Sequence, residues 1–192
     1  MQQHLGMKQP PNFKRMQRID TPNAARFLTF SCFRQQRIFT LHCHFVQFTE
    51  SLLAYSRSGY IDLHGWVLMP NHCHLLLTPN SSELATSLEL FKRSVAARLR
   101  RVDPRLESIW RPGGGYDRTI YSCGEFREKL RYIHLNAVRD GLARTNGDWP
   151  WHSWQECRGE VRPSMPRITA MSAERLARAR EAWRAHRRQG LD

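Results

Sequence analysis

The sequence has no run of 18 apolar residues, so nothing in it reads as a membrane-spanning helix. Cysteine is scarce and its pattern is uninformative. Cys32, Cys43, Cys73, Cys123 and Cys157 are odd in number, widely spaced and without a CxxC. That excludes a disulfide framework or a zinc–thiolate site and predicts a reducing, cytoplasmic setting. The opening MQQHLGMKQPPNFKRMQ lacks the apolar core of a secretory signal. Acidic residues are few: 17 Asp and Glu against 30 Lys and Arg leave a formal net charge of +13 over 192 residues. Such an excess repels itself in a folded chain, so it points to an acidic partner, and nucleic acid is the commonest. Hydrophobic residues make up 41%, enough for a globular core rather than a disordered chain.

Three segments follow from composition. Residues 1–25 are polar, basic and proline-bearing, and are expected to form a flexible basic arm. Residues 26–157 hold the periodic apolar patterns of one domain. Residues 158–192, rich in Ala and Arg, read as a basic helical tail. Inside the domain, Arg26–Phe33 is aromatic and β-prone and predicts a buried strand. Leu41, Phe45, Phe48 and Leu52 recur at helical spacing, so a helix is expected over about 40–58, stopped by Gly59. Gly65–Met69 and Cys73–Thr78 flank Pro70-Asn71, a turn pair, and predict a β-hairpin. Asn80 with Glu83 suggests a capping box before a helix with the stripe Leu84, Leu88, Phe91, Val95 and Leu99. Pro112–Gly115 reads as a flexible link into a short strand, Tyr116–Ile120. Ser122 with Glu125 suggests a second capping box, before a helix carrying Phe126, Leu130, Ile133 and Ala137 and ended by Gly141. Trp149, Trp151 and Trp154 are expected to pack back on the domain.

Two histidine pairs differ in what their setting permits. His72 and His74 lie on the predicted second hairpin strand, where residues i and i+2 share a face, so two imidazoles can converge on one divalent ion. His42 and His44 lie in the predicted first helix, where i and i+2 diverge by roughly 200°. They are assigned packing or surface roles. On the last helix of the domain, Tyr132 and Asn136 fall i, i+4 on one flank beside the apolar stripe, with Glu125 and Lys129 next to them. His134 falls on nearly the opposite flank.

Taken together, GWVLMPNHCHLLL, FKRSVAARLRR, YDRTI, LRYIHLNAVRDGL and DWPWHSW resemble the REP-associated tyrosine transposases, relatives of the single-tyrosine HUH transposases, over about residues 26–155. The resemblance implies an α+β, ferredoxin-like antiparallel sheet with helices packed on one face. It implies that His72 and His74 are a metal-binding pair, that Asn136 completes the metal site, and that Tyr132 is the nucleophile. The implied activity is cutting and rejoining of single-stranded DNA beside hairpins through a 5′-phosphotyrosine link.

Simple chemistry agrees with these groups. A phenol can be a covalent nucleophile, although deprotonating an ordinary one at neutral pH costs roughly 4 kcal/mol. A divalent ion polarises the phosphate and offsets part of that cost, and hard phosphate oxygens favour Mg²⁺ or Mn²⁺. Lys92, Arg93 and Arg98 on the basic helix flank, with Tyr116 for stacking and Arg118 on the short strand, are the DNA-binding candidates. The expected partner is single-stranded or hairpin DNA, at the nucleoid, with no membrane. The chain is expected to act as a monomer or homodimer. Two alternatives stand beside this reading: a hairpin-binding protein of the same fold that does not cut, and a ferredoxin-like RNA-binding domain.

Overall fold

Strand β1, Ala25–Ser31, leads into helix α1, His42–Arg57, and then into strands β2, Ile61–Leu68, and β3, His72–Pro79. Helix α2, Leu84–Val102, strand β4, Tyr116–Ile120, and helix α3, Cys123–Arg139, follow. Short α4, Trp154–Cys157, and α5, Ala173–Arg188, come last. This computed structural model describes residues 24–80, 83–113 and 115–188. The expected N-terminal arm lies outside them, apart from Ala24 and Ala25, which are buried.

The strands form one sheet in the order β2-β3-β1-β4, every neighbouring pair antiparallel. With α1 between β1 and β2 and α2 between β3 and β4, this is the ferredoxin-like βαββαβ arrangement that was expected. No described helix is long and apolar enough to cross a membrane.

The sheet is covered twice. Leu28, Phe30, Cys73, Leu75 and Leu77 pack with Phe48, Leu52, Phe91 and Val95 of α1 and α2. The alternate residues Phe27, Val67 and Leu76 pack with Ile133 and Ala137 of α3, and Phe126 and Leu130 sit at its margin. The helices therefore do not all share one face: α1 and α2 do, and α3 lies across the other. The inner strands explain this. Their near-continuous apolar runs leave large side chains on both faces, and both must be taken from water.

The hairpin turn forms at Pro70-Asn71, closed by Met69 N–H donating to His72 O at 2.8 Å. The capping box expected from Asn80 and Glu83 does not form. The N-cap of α2 falls at Glu83, with no side-chain capping hydrogen bond there, while Asn80 donates to Gly59 O and accepts from Arg175. At α3, Ser122 accepts from Glu125 N–H at 3.1 Å, but the Glu125 carboxylate turns to Arg118 and the Tyr121 N–H instead of closing a box. Gly141, at φ +69°, ends α3.

The link before β4 is shaped by close approach rather than by looseness. Gly115 has φ +74°, and a Cβ there would strike the Thr29 carbonyl oxygen. Gly114 lies outside the described residues.

The tail is also more than an appendage. Thr169 N–H donates to Leu63 O at 2.6 Å, Arg175 pairs with Asp62 at 2.5 Å, and Leu176 and Ala179 are buried. Among the described residues of α5 only Leu176 and Ala179, three apart, are buried, a signal too weak to read from composition.

One interaction crosses the sheet edge. Arg26, 3% exposed, makes a two-pronged bond to Asp117 of β4 at 2.9 and 2.8 Å. Removing one member takes this two-pronged bond from a buried charge, a change that costs up to about 3–5 kcal/mol. Asp117→Ala is predicted to lower unfolding free energy in urea by that order, and a loss under about 1 kcal/mol would show the pair to be peripheral.

Candidate active site

Strand alternation sets the site. In β3 the odd residues Cys73, Leu75 and Leu77 enter the α1/α2 core, so His72 and His74 face α3. Tyr132 and Asn136 look down from α3 onto the same ground. The His72 and His74 rings are 4.8 Å apart, and the Tyr132 ring is 5.2 Å from His74. Phe27 of β1 floors the cluster. It stacks on His74 at 5.3 Å and meets Tyr132 edge-on at 5.8 Å. The structure thus brings together the four residues singled out for chemistry: His72, His74, Tyr132 and Asn136.

Each imidazole is anchored through Nδ1. His72 Nδ1 lies 2.7 Å from Asn71 Oδ1, and His74 Nδ1 lies 2.8 Å from Thr29 Oγ1. The outer atoms are different. His74 Nε2 and Asn136 Oδ1 are buried and have no hydrogen-bond partner among the described residues. A buried polar atom left without a partner is costly and calls for an explanation. A lone pair on a ring nitrogen and an amide oxygen, on β3 and on the helix that covers it, are donor types that fit a divalent cation. Among the described residues there is no cluster of three or more His, Cys, Asp or Glu that would hold one without the amide.

Burial also keeps these rings neutral, the form a metal ligand requires. It pushes His74 down to about 3, with the neighbouring His72 adding to the effect. Burial lowers His72 as well, while Asp140 and Asn136 work the other way. Cations gather round the phenol: the Arg139 guanidinium lies over the Tyr132 ring at 5.2 Å, and Lys129 Nζ lies over Phe27 at 5.7 Å. An anion beside Tyr132 would meet positive charge from both.

His42, His44 and His134 are used structurally. His44 Nδ1 bonds Ile38 O, and the exposed His42 packs on Trp151. His134, on the far flank of α3, bonds Ser153 Oγ at 3.0 Å and packs on Trp154. The tryptophans do pack back. Trp149 Nε1 donates to Leu68 O, and Trp151 stacks on Phe45.

No protein-family model matches the chain. A REP-associated tyrosine transposase of Escherichia coli (strain K12) is 23% identical over 124 residues, covering 63% of this chain and 71% of that one. A solved structure of a REP-associated tyrosine transposase bound to a REP hairpin has the same fold. It aligns with a TM-score of 0.61 at 20% identity, over 82% of this chain and 94% of that one. The chain resembles the REP-associated tyrosine transposases in sequence and in fold.

The DNA-binding candidates separate into three places. Tyr116 and Arg118, paired across from Thr29 and Phe27, rise on the site face of β4, where Arg118 is tied to Glu125. Lys92 and Arg93 line a groove of about 760 Å³ between α2 and residues 107–113, together with Arg100, Trp110 and Arg111. A second hollow of about 360 Å³ shares Lys92 and Arg111 with it and reaches Thr29 and Tyr116, so the basic groove bends round the sheet end toward the site. Arg98 is not among the residues lining either hollow. It pairs with Glu50 of α1 at 2.7 Å. Sequence reasoning missed Arg111, Trp110, Phe27, Thr29 and Asn71. Strand parity could have placed Phe27 and Thr29 on the histidine face, whereas Asn71 read only as a turn residue.

The buried imidazoles make stability depend on pH. A free imidazole titrates near ~6.5. In the fold, burial holds His134 down at about 4, with His152 second, and His74 at about 3. The folded state therefore binds fewer protons than the unfolded one between these values. Their stabilising contribution is complete above about 6.5 and is lost as pH falls through the folded values. The melting temperature of metal-free protein is predicted to decline from about pH 6.5 downward. A curve that rises on acidification would contradict the burial of these rings.

Proposed function

We propose that this protein is a metal-dependent single-stranded DNA endonuclease and strand transferase that acts next to DNA hairpins, with Tyr132 as nucleophile. The observation that carries the reading is the pair of buried, unpartnered atoms His74 Nε2 and Asn136 Oδ1, on the same face as a phenol 5.2 Å from the His74 ring. The likeness to a transposase seen with a REP hairpin supports the choice of DNA substrate.

In this reading His72, His74 and Asn136 hold Mg²⁺ or Mn²⁺, which when bound polarises the scissile phosphate and neutralises charge in the transition state. Tyr132 Oη forms a bond to phosphorus, and the P–O3′ bond breaks. The phenol proton passes to water, and the departing 3′ oxygen takes one up. The product is a 5′-phosphotyrosine and a free 3′ hydroxyl. A second 3′ hydroxyl attacking that link restores a phosphodiester and frees the phenol, so joining needs no nucleotide cofactor. Arg139 and Lys129 lie where they can steady the phosphate. Lys92, Arg93, Arg111 and Tyr116, along the bent groove, guide the unpaired strand by charge and stacking. Arg118 contributes from β4, and Arg98 from outside the groove. The same charge implies a nucleoid-associated, cytoplasmic protein.

The test is a cleavage assay on oligonucleotides carrying a hairpin and single-stranded flanks, with Mg²⁺ or Mn²⁺. Native protein is expected to give a covalent protein–DNA band. Tyr132→Phe and His74→Ala should each reduce it by roughly 10³-fold or more, as removal of a catalytic group does. Hairpin binding with no band in either metal would leave a binding protein of the same fold. Cleavage that survives in Tyr132→Phe would make it a plain hydrolase.

A further inference from the structure

We propose that Asn71 and Thr29 are positioning residues that lock His72 and His74 in one tautomer, Nδ1–H with a bare Nε2, so that both rings are set to receive the ion. This rests on the metal reading above and adds residues to it that carry no ligand role themselves.

The argument for His72 comes from what an amide oxygen can do. Asn71 Oδ1 lies 2.7 Å from His72 Nδ1. An amide oxygen only accepts, so this contact places the proton of the neutral ring on Nδ1 and leaves the lone pair on Nε2. The amide has a second contact. Its Nδ2 faces Gln35 Oε1 at 3.5 Å, which leaves Oδ1 for the histidine. Gln35 reaches the turn from a loop in which Arg34 and Gln35 have φ +50° and +59°, a left-handed pair that non-glycine residues rarely adopt and that accumulates near functional sites. The Asn71 backbone is fixed too, since its carbonyl accepts Cys32 N–H at 2.8 Å.

Thr29 needs one further step, because a hydroxyl can donate or accept. Thr29 stands directly opposite His74 across β1 and β3, with Oγ1 2.8 Å from Nδ1. Were the hydroxyl the donor, the ring proton would sit on Nε2, which is buried without a partner among the described residues. An orphaned buried N–H is the rarer and costlier arrangement. The hydroxyl therefore accepts, Nδ1 carries the proton, and Nε2 is bare. Phe27, stacked on His74 with 18° between the ring planes, opposes a ring flip. Partners of this kind commonly govern how well a metal site binds.

The test uses full-length metal-free protein with ¹⁵N-labelled histidine. Long-range ¹H–¹⁵N correlation spectra at neutral pH report which ring nitrogen bears the proton, and an Mn²⁺ titration read by electron paramagnetic resonance reports affinity. Native protein is expected to show Nδ1–H on both rings. Asn71→Ala and Thr29→Val should each release their own ring into a tautomer mixture and weaken Mn²⁺ binding by roughly 10–100-fold. Asn71→Asp and Thr29→Ser, which keep an acceptor, should restore the tautomer. Folded Asn71→Ala and Thr29→Val proteins that retain both tautomers and Mn²⁺ affinity would overturn the proposal. If those two variants do not fold, the native spectrum alone decides it, since an Nε2–H on either ring contradicts it. Native rings that are locked, and unlocked by the variants, in a protein that takes up no Mn²⁺ would support the positioning role and overturn the metal reading.

Discussion

Everything at the site depends on β3 being packed on both faces. Because its side chains alternate, a strand that commits Cys73, Leu75 and Leu77 to the α1/α2 core must send His72, His74 and Leu76 to the other side. A slip of one residue would bury the histidines under α1 and α2 and leave Cys73 and two leucines against α3. The register is thus enforced by the hydrophobic core, and the imidazole pair is held by the same energy that holds the sheet. The α3 stripe of Ile133 and Ala137 then fixes the helix rotation, and with it the direction of Tyr132 and Asn136.

Charge is distributed in a complementary way. Inside, the two rings are kept neutral by burial, and two polar atoms are left with nothing to bond. Outside, Arg139, Lys129, Lys92, Arg93 and Arg111 surround the phenol or line the path toward it. A polyanion brought along that path would offset the self-repulsion of a chain with net charge +13. The buried pair of Arg26 and Asp117 binds the edge strand carrying Tyr116 and Arg118 to β1.

Much of this was legible in the sequence because it rests on local periodicity. The spacing of Leu84, Leu88, Phe91, Val95 and Leu99 gave α2 its buried face, and period two in HCHLLL put both histidines together. Helical projection separated Tyr132 and Asn136 from His134, which the fold indeed uses elsewhere, against Ser153. What stayed hidden depends on distant partners. Which face α3 covers follows from packing between strands, not from its own stripe. Asn80 fits a cap by spacing, yet Arg175 from the tail and Gly59 take up its side chain. Gly115 looks like a loose link until the Thr29 carbonyl is seen beneath it. Arg98 has the composition of a DNA contact, but Glu50 of a neighbouring helix pairs with it.

The central claim is that the histidine pair and Asn136 form one cation site beside Tyr132. Paramagnetic broadening on adding substoichiometric Mn²⁺ to the native protein measures this directly, through the side-chain resonances of its histidines, asparagines and tyrosines. The account predicts that His72, His74, Asn136 and Tyr132 broaden first and together, ahead of His42, His44 and His134. Broadening centred on any other group, or spread evenly over the surface carboxylates, would contradict it.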